Sequence, residues 1–314
     1  MVPDENVPFS RRDLLAGATA FMVPATMASL KVAVFSKHLQ FVQGRALAET
    51  AKSIGFDAVD LTVRKAGHVE PANVKSDLPR LISTLREAGL DVPMITTDIV
   101  DDASPHTEAI LQTASELGVR HYRWGGFKYD EKRPIVQQLE HLKPRVERLA
   151  RLNKKYDVCA IYHTHSGIDL VGASIWDLHL LLKEFDPNAV AVNYDVGHAT
   201  IEGGFGGWIN SFRVTGAYLK GIAVKDFVWT KNAGGHWTVD WKPLGQGMVH
   251  FAKFFEMVKQ AGFSGPLQLH FEYPLGGADK GKTSLSGSES EVLAAMKRDL
   301  RTLRDYLKTA GLAA

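Results

Sequence analysis

Hydrophobic positions along the chain gather into eight short β-type runs, separated by amphipathic stretches of helical period. The runs are Val32–Ser36, Ala58–Val63, Asp91–Thr97, Val119–Trp124, Val158–His163, Val190–Asp195, Leu219–Lys225 and Pro266–Glu272. Between them, Arg45–Ile54, Val74–Ala88, Glu108–Leu117, Pro134–Asn153, Ser174–Phe185 and Val249–Ala261 repeat apolar residues at three- and four-residue spacing. That is the pattern of helices burying one face. Gly55, Gly89 and Gly118 each stand just past the end of such a stretch, where a helix C-cap needs a residue free to turn left-handed. Strands that alternate with helices pair in parallel through right-handed crossovers. Eight such units predict an α/β chain folded as a single (β/α)8 barrel. An open, doubly wound sheet is the competing plan, but it would place a glycine-rich turn after the first strand. Phe35-Ser36-Lys37-His38-Leu39 contains no glycine. Gly203–Gly207, Asn232–His236 and Gly276–Gly287 read as flexible loops, the last as a mobile lid.

Residues 1–28 stand apart from this pattern. Arg11-Arg12 precedes a mildly apolar run from Ala16 to Met27, with small residues at Ala25 and Ala28. Paired arginines before such a run look like a twin-arginine signal peptide. The expectation is export to the periplasm and a mature barrel of residues 29–314. Asp4 and Glu5 make the leader untypically acidic, and without export the protein is cytoplasmic. The full chain has 314 residues, of which 45% are hydrophobic and 23% charged, a balance that excludes a disordered or fibrous protein. With 37 Lys+Arg against 35 Asp+Glu, the net charge of +2 gives no basic face for nucleic acid. No apolar run is long enough to span a membrane. The lone Cys159 excludes a disulfide framework and a cysteine zinc site. The expected partner is a small molecule, and oligomerisation is left open.

Candidate chemistry collects where the last four strands end. Side chains alternate along a strand, so His163 and His165 share one face, as do His270 and Glu272. Asp195 ends the sixth run and Lys225 the seventh. Imidazoles and carboxylates converging on one mouth suit a divalent metal. Arg64, Lys37, Arg123 and Trp124 stand at the ends of earlier strands as candidate substrate contacts. Trp229, Trp237 and Trp241 flank the segment after strand seven and offer faces for a sugar ring. No glycine-rich loop opens a helix beside a basic residue, so no phosphate clamp is evident.

Tyr162-His163-Thr164-His165, Asp195-Val196-Gly197-His198, Val224-Lys225-Asp226-Phe227, Leu244-Gly245-Gln246-Gly247 and His270-Phe271-Glu272-Tyr273 occur in this order. The set resembles the xylose isomerase-like TIM barrels, among them sugar phosphate isomerases and epimerases, D-tagatose 3-epimerase-like enzymes and inosose dehydratases. The resemblance spans roughly Lys31 to Leu307. It implies one divalent ion, Mn2+ or Mg2+ before Zn2+, held by Glu, Asp, His and Glu from strands five to eight. By position these fall on His163, Asp195, Ala223 and Glu272, so one ligand is missing, and His165, a water or a loop residue is left to complete the shell. The candidate catalytic groups are Glu272, Lys225 and His163. His198 matches a histidine that contacts substrate oxygen in related epimerases, and His165, His270, Arg64 and Trp124 are further candidate substrate contacts. The implied reaction is sugar isomerisation or epimerisation, with proton transfer α to a carbonyl through an enediolate. The alternatives are a lyase or dehydratase acting on a keto-sugar glycoside or cyclitol, and a carbohydrate-binding barrel without catalysis.

Overall fold

A computed structural model describes residues 29–313; the expected export signal lies outside the described residues. In chain order the strands are β1 (Val32–Phe35), β2 (Ala58–Val63), β3 (Asp91–Thr97), β4 (His121–Trp124), β5 (Cys159–His163), β6 (Val190–Asp195), β7 (Leu219–Val224), β8 (Asp226–Lys231), β9 (Trp237–Lys242) and β10 (Leu267–Leu269). Eight of them close a barrel in the order β1-β10-β7-β6-β5-β4-β3-β2, all parallel. The helices α1 (Gly44–Ile54), α2 (Val74–Glu87), α3 (Thr107–Glu116), α4 (Ile135–Tyr156), α5 (Trp176–Leu182), α6 (Val196–Gly203), α7 (Gly207–Thr215), α8 (Phe251–Gln260) and α9 (Glu289–Ala310) form the outer shell. Gly55, Gly89 and Gly118 take φ of 110°, 73° and 74°, the left-handed turn that stops each preceding helix.

The two-residue period divides the strands between two cores. Outward side chains such as Tyr122, Trp124, Tyr162 and Tyr194 pack against the helices in the main core. Met94, Cys159, Ile161 and Ala191 fill the barrel interior. Above them on the inward rows stand Asn193, His163 and Asp195. A Cβ at Gly221 would lie 2.7 Å from Asn193 Oδ1 and 2.8 Å from Ile161, so the absent side chain gives Asn193 its place inside the barrel.

Two segments read as loops have structure. Asn232–His236 is the turn of an antiparallel hairpin, β8–β9, in which Phe227 opposes Trp241. The Asn232 carboxamide accepts from the N–H groups of Gly234 and His236 and holds that turn. The expected lid over Gly276–Gly287 is docked at its start. His38 Nδ1–H donates to Ala278 O at 3.2 Å, and Ala278 and Asp279 are buried. The last barrel strand also ends early, at Leu269 rather than Glu272. β1 gives way after Phe35 to a tight turn over Ser36–Leu39. From that turn His38 Nε2 accepts the Phe271 N–H at 3.1 Å, in place of a strand partner.

Candidate active site at the barrel mouth

Asp195 is the hub of the mouth. It ends β6 fully buried, and its Oδ1 accepts the His198 N–H at 3.0 Å, capping α6. Its Oδ2 faces Lys225 Nζ at 3.0 Å and His163 Nε2 at 3.4 Å. Burial pushes the Asp195 carboxyl upward, but the Lys225 ammonium and the contacts with His198 outweigh it, and the carboxyl sits below its ordinary value.

The histidines are held neutral. Burial, reinforced by the cations Lys225 and Arg123, drives His163 and His270 well below the usual imidazole range. His198 and His38 are lowered in the same way, first by burial. Hydrogen bonds then decide which nitrogens are free. Lys225 Nζ donates to His198 Nε2 at 2.8 Å, and His198 Nδ1 meets Ser166 Oγ at 2.8 Å. Both nitrogens are occupied, so His198 orients Lys225. Arg123 donates to His165 Nε2 at 3.3 Å, while His165 Nδ1–H meets His163 O at 3.2 Å. His165 is thereby tied to Arg123 and stands outside the metal-competent groupings. His38 spends both nitrogens on Ala278 O and the Phe271 N–H.

Among the described residues, two sets of side chains gather ligand atoms within 4.8 Å of one another: His38, His270 and Glu272, and His163, Asp195 and His270. The first set includes a histidine whose nitrogens are both engaged. In the second, His163 Nε2 and His270 Nε2 are buried and lack a hydrogen-bond partner, and Asp195 Oδ2 beside them is paired with Lys225 Nζ. Two orphaned imidazole nitrogens next to a carboxylate oxygen fit a divalent cation. The family pattern expects a histidine at Ala223. His270 from the neighbouring strand supplies an imidazole to the same mouth, and its N–H donates to Val224 O at 2.9 Å. A buried amide pair lies beneath. Asn193 Nδ2 lies 3.0 Å from His163 Nδ1 and 2.9 Å from Gln268 Oε1. In this orientation the amide donates to Nδ1, which places the His163 proton on Nε2. Ligation through Nε2 requires both amides rotated, so that Asn193 Oδ1 accepts from His163 Nδ1–H and from the Gln268 amide.

Glu272 belongs to the rim. Its carboxylate receives Lys37 Nζ at 3.3 and 3.4 Å and lies 4.0 Å from His270 Nδ1. The rings of His163, His270 and Phe35 stack in sequence, with centroids 5.4 and 4.7 Å apart. The hairpin missed in the sequence reaches this centre, for Lys225 Nζ lies 4.9 Å over the Trp241 ring. Trp229 and Trp237 are more exposed. Trp124 is not a substrate contact in this arrangement. Position 123 faces inward, so Trp124 points outward and packs edge-on against Phe127 and Tyr162. Asp226, beside Lys225, is also structural. It accepts the backbone N–H groups of Phe227, Gly245, Gly247 and Val249, and so anchors the Leu244–Gly247 motif.

Sequence alternation could have found His38, Asn193 and Gln268 as inward or strand-end polar residues. Their roles depend on partners far along the chain and leave no local motif.

The sequence matches the xylose isomerase-like TIM barrel family over residues 48–307, and the chain belongs to that family. No curated protein matches it in sequence. The fold is shared with an L-ribulose 3-epimerase at a TM-score of 0.66 and 15% identity, covering 90% of this chain and 95% of that one. A D-tagatose 3-epimerase-like protein is similar at a TM-score of 0.65 and 14% identity, over 90% and 98% of the two chains. A xylose isomerase-like TIM barrel protein from Mycobacterium smegmatis, in complex with magnesium, is similar at 0.63 and 15%, over 90% and 97%.

Proposed function

We propose that the protein is a sugar isomerase or epimerase that moves a proton on a carbon α to a carbonyl. The observation carrying this reading is the contrast between two carboxylates in one mouth. Asp195 is buried and committed to Lys225, His163 and the α6 cap. Glu272 stands at the partly open rim, held only by Lys37 and near His270. Glu272 is the base that takes the proton. The electron pair left by the C–H bond moves onto the carbonyl oxygen, giving an enediolate. Lys37 and Lys225 face that developing negative charge. In an isomerisation the α-hydroxyl proton passes to the former carbonyl oxygen, the α carbon becomes the new carbonyl, and Glu272 returns its proton to the neighbouring carbon. In an epimerisation, the opposite face needs a second proton donor.

His163, Asp195 and His270 would hold the metal. When bound, a divalent ion there polarises the substrate's carbonyl and hydroxyl oxygens. Two imidazoles with one carboxylate favour Mn2+ or Zn2+ over Mg2+, which prefers oxygen ligands.

Replacing Glu272 by Gln tests the base. The variant is expected to lose deuterium exchange at the α carbon together with turnover, each by about 10²–10⁴-fold. Exchange persisting at the wild-type rate while turnover stops would assign Glu272 to a later step.

We also propose export through Arg11-Arg12. Changing both arginines to lysine is expected to retain the protein in the cytoplasm, measured by fractionation. Undiminished periplasmic delivery would remove the twin-arginine reading.

A further inference from the structure

The mouth carries more positive charge than its own acids balance. Lys225 is paired with Asp195 and Lys37 with Glu272, each within 3.3 Å. Arg64 and Arg123 remain. Among the described residues, the Arg64 guanidinium makes no hydrogen bond or ion pair, and its Cζ lies 5.6 Å over the Phe35 ring. The Arg123 guanidinium lies 6.0 Å over the same ring and has one bond, to His165 Nε2. Both stand on inward rows, Arg64 above Asp60 and Thr62, Arg123 above His121. Two further acids are near: Asp98, just past β3, accepts the Lys65 N–H at 3.2 Å, and Asp60 is buried beneath the arginines and bonded to the Thr96 hydroxyl at 2.9 Å. Burial pushes the Asp60 carboxyl up to about 7, so it offsets only part of one positive charge at neutral pH. Burial, and then the neighbouring Arg64, lowers Arg123 to about 10, which still leaves it charged.

Two half-buried guanidiniums share one aromatic ring, and each keeps most of its five N–H donors free of protein partners and open to a ligand. A planar fork of donors matches the oxygens of a carboxylate or a phosphate. A divalent ion at His163, Asp195 and His270 would add positive charge to the mouth and increase the demand for an anion. Phe35 places the arginines beside the reacting groups, because its ring also stacks on His270 at 4.7 Å.

We infer that the substrate is an anionic sugar, whose carboxylate or phosphate is held by Arg64 and Arg123 while its carbonyl end lies toward Glu272. This deepens the isomerase reading and rests on it only for the position of the carbonyl; the anion site itself is a matter of binding.

The test is calorimetric titration of the full-length protein with a neutral ketose, the corresponding keto-sugar acid and the ketose phosphate, with inorganic phosphate as competitor. At least one anionic sugar is expected to bind ten-fold or more tightly than the neutral ketose, and the stronger arm identifies the oxyanion. Arg64→Gln and Arg123→Gln are each expected to reduce that preference about ten-fold, and the lysine variants to restore part of it. Arg123→Gln is expected to melt close to wild type, since it removes a half-buried cation that makes one side-chain hydrogen bond. Equal affinity for neutral and anionic sugars, or a preference unchanged in both glutamine variants, would overturn the inference. Glu272→Gln separates the two claims: anion preference retained in that variant supports the arginine site whatever its exchange rate, whereas loss of exchange there together with equal affinity for neutral and anionic sugars supports the base and removes the arginine site.

Discussion

Asp195→Asn is expected to destabilise the protein by about 3–5 kcal/mol, the usual effect of removing one partner from a buried ion pair. From sequence alone, Asp195 reads as a metal ligand at an open strand end, replaceable without harm to the fold. The structure places its side chain at 0% exposure against a Lys225 that is 4% exposed. Asparagine keeps an oxygen for the α6 cap but leaves the lysine ammonium without its counter-charge. Lys225→Met in the same chain removes that charge, and the double variant is expected to recover most of the lost stability. Denaturant unfolding reads both. Activity and metal content should stay low in the single and the double variant alike, which separates Asp195's part in the fold from its part in the site. A single variant as stable as wild type would show that Lys225 finds another partner.

Acid is expected to unfold the protein over a narrow range below pH 6.5. His68 and His121 are lowered to about 4 and His165 to about 3, first by burial in each case. His38, His163, His198 and His270 lie well below the ordinary imidazole value for the same reason. The sign follows from proton counting. Below pH 6.5 the unfolded chain binds protons at these histidines and the folded chain does not, so stability falls as pH falls. Each histidine costs about 1 kcal/mol between pH 6.5 and 5.5, or about 7 kcal/mol together. Two acids oppose this. Asp60, raised to about 7, and Asp299, raised to about 6, are held above the carboxylate range by burial. They return about 2 kcal/mol over the same interval. The net loss, about 5 kcal/mol, rivals the whole stability of an ordinary domain. A urea midpoint that falls steeply across this interval is the expected result. A flat profile would mean that the buried histidines are already protonated in the fold.

The barrel was legible because its evidence is local and repeated. Eight apolar runs, helical periods between them and glycines at the helix ends each restate one unit. Residues on the inward rows were legible wherever a strand end carried them, as with His163, Asp195, Lys225 and Glu272. What stayed hidden depends on distance in the chain. Trp124 and Arg123 are neighbours, and only the barrel's inside and outside separate them. The Gly276–Gly287 segment is rich in the residues of flexible loops, yet His38, far away in sequence, fastens its start. The β8–β9 hairpin looked like a loop because its strands are half exposed and pair with each other rather than with the barrel. The missing histidine at Ala223 looked like a gap in the site. His270 already read as a polar residue at that mouth, but only the closed sheet brings one of its ring nitrogens within 4.8 Å of the His163 and Asp195 ligand atoms.

The most direct test of the central claim is solvent exchange by the wild-type protein itself. The protein, loaded in turn with Mn2+ and Zn2+, is incubated in D2O with ketoses and keto-sugar acids, and the carbon next to the carbonyl is followed by NMR. Proton transfer at the Glu272 rim predicts deuterium at that carbon, appearing at least as fast as any rearranged product. A substrate that binds, by calorimetry, and yet keeps all its carbon-bound hydrogen with every metal would contradict the account and leave a barrel that holds sugars without transforming them.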